Sequence, residues 1–203
     1  MKLGILISGR GSNMLAIAEA VGNDTIPNAE IAIVISDQPN AAGLIKAREK
    51  GIETVAIPRN GRTREEHDAE IVAELKKRGV ELVCLAGYMR LLSKDFIRSF
   101  PNKIINIHPS LLPAFKGLDA QKQAFDYGVK FTGCTVHFVD EELDHGAIIA
   151  QKVVEVNDND TAETLSARIL EQEHRLYIEA LAKITAGNYE VVGRKVVFFI
   201  AET

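Results

Sequence analysis

Asn106-Ile107-His108-Pro109-Ser110-Leu111-Leu112-Pro113 follows the apolar run Lys103-Ile104-Ile105, and the class of fold can be inferred from this junction. The run has the length of a short buried strand that ends where Pro109 removes a backbone donor. Side chains alternate along a strand, so Asn106 and His108 share one face while Ile105 and Ile107 share the other. An amide and an imidazole therefore leave a strand's carboxyl end together, the place where open α/β sheets hold ligands. Pro109 and Pro113 stiffen the loop beyond the strand. The chemistry suits the pair: histidine carries a proton near neutral pH, and an asparagine amide donates to an oxyanion without titrating. The plain alternative is an incidental polar pair at a loop entry.

Working back from this stretch, the chain opens on a wholly apolar strand, Lys2 to Ser8, as in the middle of a parallel sheet. Gly9-Arg10-Gly11-Ser12-Asn13 and a helix from Met14 to Val21 come next. Strand, glycine-rich turn and helix start make an anion site, with free N–H groups and the positive dipole end facing one point. Ser12 and Asn13 are also good N-caps. A dinucleotide fingerprint would want a small residue at Met14, although Asp37, after the strand Glu30 to Ser36, stands where a ribose-binding acid could lie. A single phosphate site is the favoured reading, and the dinucleotide reading stays open.

Further elements alternate along the chain: a helix from Ala41 to Lys50 closed by Gly51, a strand from Ile52 to Ile57, and a helix from Thr63 to Arg78 stopped by Gly79. Arg64 projects along the stripe of Ile71 and Leu75, where an arginine usually snorkels to solvent. The strand Glu81 to Ala86 leads into Gly87-Tyr88-Met89-Arg90-Leu91-Leu92, either a cap on the core or the wall of a flat apolar slot. Ser93 is a plausible N-cap for a helix to Phe100.

Beyond the opening stretch, Asp119 to Tyr127 reads as a helix ended by Gly128, and Lys130 to Val139 as an antiparallel strand with unlike faces. His137 on that strand suggests a metal set with His108 and Asp144, but no close-set ligand pair supports it, and a hydrogen-bonded structural histidine is favoured. The acidic loop Asp140 to Gly146 precedes a strand from Ala147 to Val156. The helix Thr161 to Ile184 sets Ala162, Ile169, Leu176, Ala180 and Ile184 on one stripe with Glu173 near its middle. A carboxylate facing the core is costly unless paired or bound, so Glu173 is a candidate site residue. Val191-Val192 and Lys195 to Ile200, joined by Gly193-Arg194, read as a closing hairpin.

The 203 residues, 46% of them hydrophobic, suit one well-buried domain, read as a single-domain Rossmann-like α/β sheet, parallel in its amino-terminal half and antiparallel towards the carboxyl end. A net charge of -4 without a dense basic block argues against a nucleic-acid surface. The amino terminus reads as strand, neither signal peptide nor membrane span, and the isolated Cys84 and Cys134 suggest a reducing compartment, with the cytoplasm as the default. The loops Arg59 to Arg62 and Asp140 to Gly146 are expected to be mobile.

The string NIHPSLLP (106–113), with LDHGAIIAQ (143–151) and SGRGSN (8–13), resembles the folate-dependent formyltransferases, from Leu3 to about Ala182. The likeness is greatest to the branch whose acceptor is glycinamide ribonucleotide. It implies one formyltransferase domain over 1–203, with a phosphate-binding half of about 1–100 and a folate and catalytic half of about 101–203. By the same likeness Asn106, His108 and Asp144 are catalytic, and Gly11, Ser12, Asn13, Pro109 and Glu173 bind glycinamide ribonucleotide. Arg64, Met89, Arg90, Leu91, Leu92, Asn106, Asp140 and Glu141 bind the folate. The donor is 10-formyltetrahydrofolate, a co-substrate, and no metal is required. The partners are small molecules, with neither nucleic acid nor membrane; the oligomeric state stays open, a homodimer included.

Two residues depart from the family pattern: Asp119 stands where a histidine is usual and Ala147 where a proline is. The methionyl-tRNA enzymes carry an added carboxyl-terminal domain and the deformylases an amino-terminal one, and neither is expected here because the first strand begins at Lys2. Three alternatives remain: a nicotinamide oxidoreductase using Gly9, Gly11 and Asp37, a non-catalytic nucleotide-binding module, and a hydrolase that admits water as acceptor.

Overall fold

In the computed structural model, which describes residues 1–199, the opening apolar run is a strand, Lys2–Ile7 (β1), with every residue after Lys2 buried. Ser12–Gly22 (α1) comes next, then Glu30–Ser36 (β2), Ala42–Glu49 (α2), Thr54–Ala56 (β3), Arg64–Lys77 (α3), Leu82–Leu85 (β4) and Lys94–Ser99 (α4). The strands run in the order β3-β2-β1-β4, and each pair is parallel. Met14 and Ile17 of α1, Leu44 of α2, and Ile71 and Leu75 of α3 are fully buried beside the strands' own Ile5, Leu6, Ile33 and Ile35. Each such side chain contributes roughly 1.5–3 kcal/mol by leaving water. These elements form one compact unit, Met1–Ile105.

The caps repeat the sequence logic with one correction. Thr63 closes α3 in a reciprocal capping box with Glu66, and Ser93 accepts from the Phe96 N–H at the start of α4. At α1, however, the N-cap is Gly11 and not Ser12 or Asn13, which lie inside the helix. The reason is steric: Gly11 has φ 69, and a Cβ there would lie 2.8 Å from the Gly43 Cα. Strands β1, β3 and β4 stop short of the expected Ser8, Ile57 and Ala86.

The second unit, Asn106–Thr203, begins within the strand Ile104–His108 (β5). It continues through Ala120–Tyr127 (α5), Phe131–Phe138 (β6), Ile148–Glu155 (β7), Ala162–Thr185 (α6), Tyr189–Val192 (β8) and Lys195–Phe198 (β9). β6 and β7 are antiparallel, as are β8 and β9 across Gly193-Arg194, while β7 meets β9 in parallel. Ile200, the expected end of the last strand, lies outside the described residues. The fold is thus α/β, parallel in its amino-terminal half and antiparallel towards the carboxyl end.

Two features of this unit differ from their sequence reading. The faces of β6 do differ chemically, but both are covered: Thr132 to Phe138 are buried without a break. In α6 the buried stripe starts at Leu165, not Ala162, and runs through Ile169, Glu173, Leu176, Ala180 and Ile184. Glu173 is therefore the buried carboxylate that the helical period implied, at 6% exposure. No helix among the described residues is long and apolar enough to cross a membrane.

Candidate active site

The carboxyl end of β5 presents Asn106 and His108 on one face, as two-residue alternation requires. Opposite them is the end of β6, where His137 is fully enclosed. The His137 Nδ1–H donates to its neighbour's carbonyl, Phe138 O, at 2.8 Å, and its Nε2 lies 3.3 Å from the Asn106 amide nitrogen. Burial pushes the His137 pKa below its ordinary value of 6.5, against the pull of the Phe138 hydrogen bond and of Asp144. A neutral ring with Nδ1 protonated has a lone pair on Nε2, which accepts one amide hydrogen of Asn106. The amide's other hydrogen is left to donate elsewhere.

Asp144, in the left-handed region at φ 46, brings its carboxylate to both histidines. Its Oδ2 lies 3.4 Å from His108 Nδ1 and accepts the Gly117 N–H at 2.8 Å. Its Oδ1 lies 3.8 Å from His137 Nε2. The other nitrogen of His108 faces the Phe115 carbonyl at 2.8 Å. His108 thus has an acceptor on each side, and an imidazolium donates to both where a neutral ring donates to one. Asn106, His108 and Asp144, distant in sequence, come together, with His137 as a fourth member. Among the described residues no group of three or more His, Cys, Asp and Glu is arranged to hold a metal ion.

The loop after β5 is fixed by a buried network that the sequence reading missed. The Thr135 hydroxyl donates to Ser110 O at 2.7 Å and accepts from Leu112 N and from Gln151 Nε2. Gln151 also donates to Leu112 O, and the Ser110 hydroxyl to Ala114 O at 2.6 Å. Thr135 lies two residues before His137 on the same strand face, which was the available signal. Pro109 is half-buried beside this network.

Asp140 accepts from the Glu142 N–H and pairs with His145 Nδ1 at 2.8 Å, so the loop before β7 is cross-bonded through a histidine that was given no role. Ala147, in the family's proline position, is buried, and its carbonyl accepts the Phe138 N–H. Asp119 is exposed at φ 54, where aspartate is one of the residues that tolerate the left-handed region.

In the first unit, Gly11, Ser12 and Asn13 form the start of α1, and Gly43 N donates to Gly9 O at 3.0 Å, so the α2 start packs against the loop. Gly43 was not singled out by its sequence context; a Cβ there would lie 2.5 Å from Ile7 Cδ1. The segment after β4 is tied to the end of β1: Ser8 N donates to Gly87 O, and Met89 N donates to the Ser8 hydroxyl. Arg90 Nε donates to Asp37 at 2.6 Å. Burial alone would raise the Asp37 pKa, but hydrogen bonds from Ser8, Arg90 and Gln38 hold it below the usual carboxylate value. Asp37, the acid that a dinucleotide reading would place on a ribose, is thus engaged by an arginine. Met89 and Leu91 are exposed, Leu92 is half-buried, and exposed Arg64 lines a cavity of about 240 Å³ with Arg59, Arg90, Met89 and Leu91. Beneath it, His67 bonds Ile57 O and Asp68 accepts the Ser93 N–H, two buried polar residues that helical period alone did not flag.

The formyl transferase family profile matches residues 1–181. Phosphoribosylglycinamide formyltransferase of Bacillus subtilis is 40% identical over 92% of this chain and 96% of its own length. The trifunctional purine biosynthetic protein adenosine-3 of Gallus gallus is 46% identical over 94% of this chain, which spans only 19% of that relative's length. Glycinamide ribonucleotide transformylase 1 from Symbiobacterium toebii superposes with a TM-score of 0.96 at 46% identity, covering 98% of this chain and 94% of that one.

Proposed function

The chain belongs to the formyl transferase family, and on that premise we propose that it transfers the formyl group of 10-formyltetrahydrofolate to the amine of glycinamide ribonucleotide. The names of its relatives support the acceptor: several near-full-length matches are phosphoribosylglycinamide formyltransferases. The observation that carries the chemistry is the single carboxylate of Asp144 beside both His108 and His137, with His137 in turn against Asn106.

The amine attacks the formyl carbon, a C–N bond forms, and the carbonyl electrons move onto oxygen. The Asn106 amide, with one hydrogen held by His137, aims the other at that oxyanion, and His108 is the second donor. The tetrahedral adduct then gives up the proton of its new ammonium, the bond to the folate N10 breaks, and N10 takes a proton from His108 as general acid. Asp144 holds the ring and its charge through the exchange. Protonating N10 from Nε2 requires the substrate to replace the Phe115 carbonyl as that nitrogen's acceptor. On this reading Gly11, Ser12, Asn13, Pro109 and Glu173 hold the ribonucleotide. Arg64, Met89 to Leu92, Asn106, Asp140 and Glu141 hold the folate. Direct attack needs neither a metal nor a covalent enzyme intermediate.

Steady-state turnover of Asn106→Ala and His108→Ala with both substrates tests the mechanism. One preorganised donor to an oxyanion is worth on the order of 3 kcal/mol, so each variant is expected to lose about a hundredfold in kcat. Calorimetry should show that both substrates still bind. Near-normal kcat in both variants refutes the mechanism.

A further inference from the structure

Four arginines gather around the turn before α3 and the segment after β4, and they differ in what neutralises them. Arg90 is paired with Asp37, and Arg62 with Glu70. Arg59 and Arg64 have no ion-pair partner among the described residues. Both line the cavity of about 240 Å³, beside the exposed apolar side chains of Met89 and Leu91. The charge facing that cavity is therefore a pair of uncompensated guanidinium groups.

Arg59 is held in place. Arg62 N donates to Arg59 O at 2.9 Å across Asn60 (φ 46) and Gly61 (φ 77), a turn with both central residues in the left-handed region. The two side chains clasp the same turn: Arg59 Nε donates to Arg62 O at 2.7 Å, and Arg62 Nε to Arg59 O at 3.1 Å. Arg62 also donates to Pro58 O and pairs with Glu70, which anchors the turn to α3. With Nε engaged by a carbonyl, the terminal nitrogens of Arg59 are the ones left for a ligand. Arginine presents those nitrogens as a planar fork that matches carboxylate geometry.

Two free guanidiniums beside exposed apolar side chains fit a ligand that is flat and apolar at one end and carries several carboxylates at the other. Resting on the folate reading above, we infer that Arg59 is a specificity-determining residue for the donor, the second cation of a clamp with Arg64 that binds the carboxylates of the folate's γ-glutamyl tail. Arg90 is discounted because Asp37 already neutralises it.

The test measures kcat and KM for both substrates with monoglutamyl and triglutamyl forms of the formylated donor, in wild type, Arg59→Ala and Arg59→Lys. Turnover of the monoglutamyl donor by the wild type tests the folate reading by itself; its absence would overturn that reading. Given turnover, Arg59→Ala is expected to raise the donor KM roughly three- to tenfold, as suits a charged contact in partial solvent. The ribonucleotide KM should not move, and Arg59→Lys should recover part of the loss. A rise confined to the triglutamyl donor assigns Arg59 to an outer glutamate, and a rise with both donors to the first; either supports the clamp. A donor KM unmoved with both tails overturns it, as does a loss shared equally by the acceptor KM.

Discussion

Asp144 is a residue whose every contact bears on the proposed chemistry. Its Oδ2 accepts the Gly117 N–H and faces His108, its Oδ1 faces His137, and its backbone sits at φ 46. Asparagine tolerates the same backbone and keeps an oxygen for Gly117, but it brings no charge to the imidazole. Asp144→Asn is therefore expected to fold with a melting temperature close to that of the wild type. Its kcat should fall at least about a hundredfold, within the range typical of a general acid's contribution. Steady-state kinetics beside a thermal melt checks this; retained kcat with a lowered melting temperature would assign the carboxylate a purely structural role. At this scale the sequence was informative about the groups that titrate or donate and silent about what aims them. Asn106 and His108 were legible because strand alternation puts them on one face, whereas Gly117 and Phe115 act through backbone atoms that no side-chain pattern reports. His137 was read as a structural histidine, and its hydrogen bond to Phe138 O agrees. Its contact with Asn106 depends on the register between strands, which one strand's sequence does not contain.

Among the elements, β6 carries the most constraint. A Cβ added at Gly133 would lie 1.9 Å from Lys152 O on β7 and 2.9 Å from Leu111 Cδ2 in the loop after β5. Neither a backbone carbonyl nor a buried side chain can yield without moving the strand pair or the loop beyond Asn106 and His108. Gly133→Ala should cost about 1–3 kcal/mol, the usual range for overpacking, and lower the melting temperature by several degrees. Gly22→Ala is the matched control, since a Cβ there meets nothing within 4 Å. A Gly133→Ala protein as stable as that control would show that β6 and β7 separate freely. The glycine's necessity was invisible in sequence for the same reason that β6 looked two-faced: alternation shows which residues share a face, not whether another element covers it. The start of α1 was misread for a related reason. Serine and asparagine are the better caps in isolation, but the approach of Gly43 allows only glycine at position 11. Elements whose signals are wholly local came through intact, among them the Thr63 capping box and the αL glycine Gly79 after α3.

Across the whole molecule, the same burial that shapes the histidines fixes how stability must respond to acid. His137 and His174 both have pKa values pushed below the ordinary 6.5 by burial, more than neighbouring acids restore. In the unfolded chain both titrate near that ordinary value. As pH falls below about 6.5 the unfolded state therefore binds protons that the folded state refuses, and stability must fall until the folded imidazoles also titrate. Above that range both states are neutral at these rings, and they add no pH dependence. A second loss belongs at lower pH. Asp37 is held below its ordinary 3.8 by Ser8, Arg90 and Gln38, so its contribution is complete above that value and disappears as pH falls through the folded pKa. Melting temperature followed by circular dichroism from pH 8 to pH 3 should be flat at first, decline below about 6.5, and decline again below about 4. His174→Gln lies outside the proposed machinery and removes one of the two buried rings; it should make the first decline shallower and leave the second unchanged. A melting temperature that rises as pH falls from 7 to 6 would mean that a buried imidazole gains a charge on folding. That outcome would reverse the tautomer on which the Asn106 amide depends.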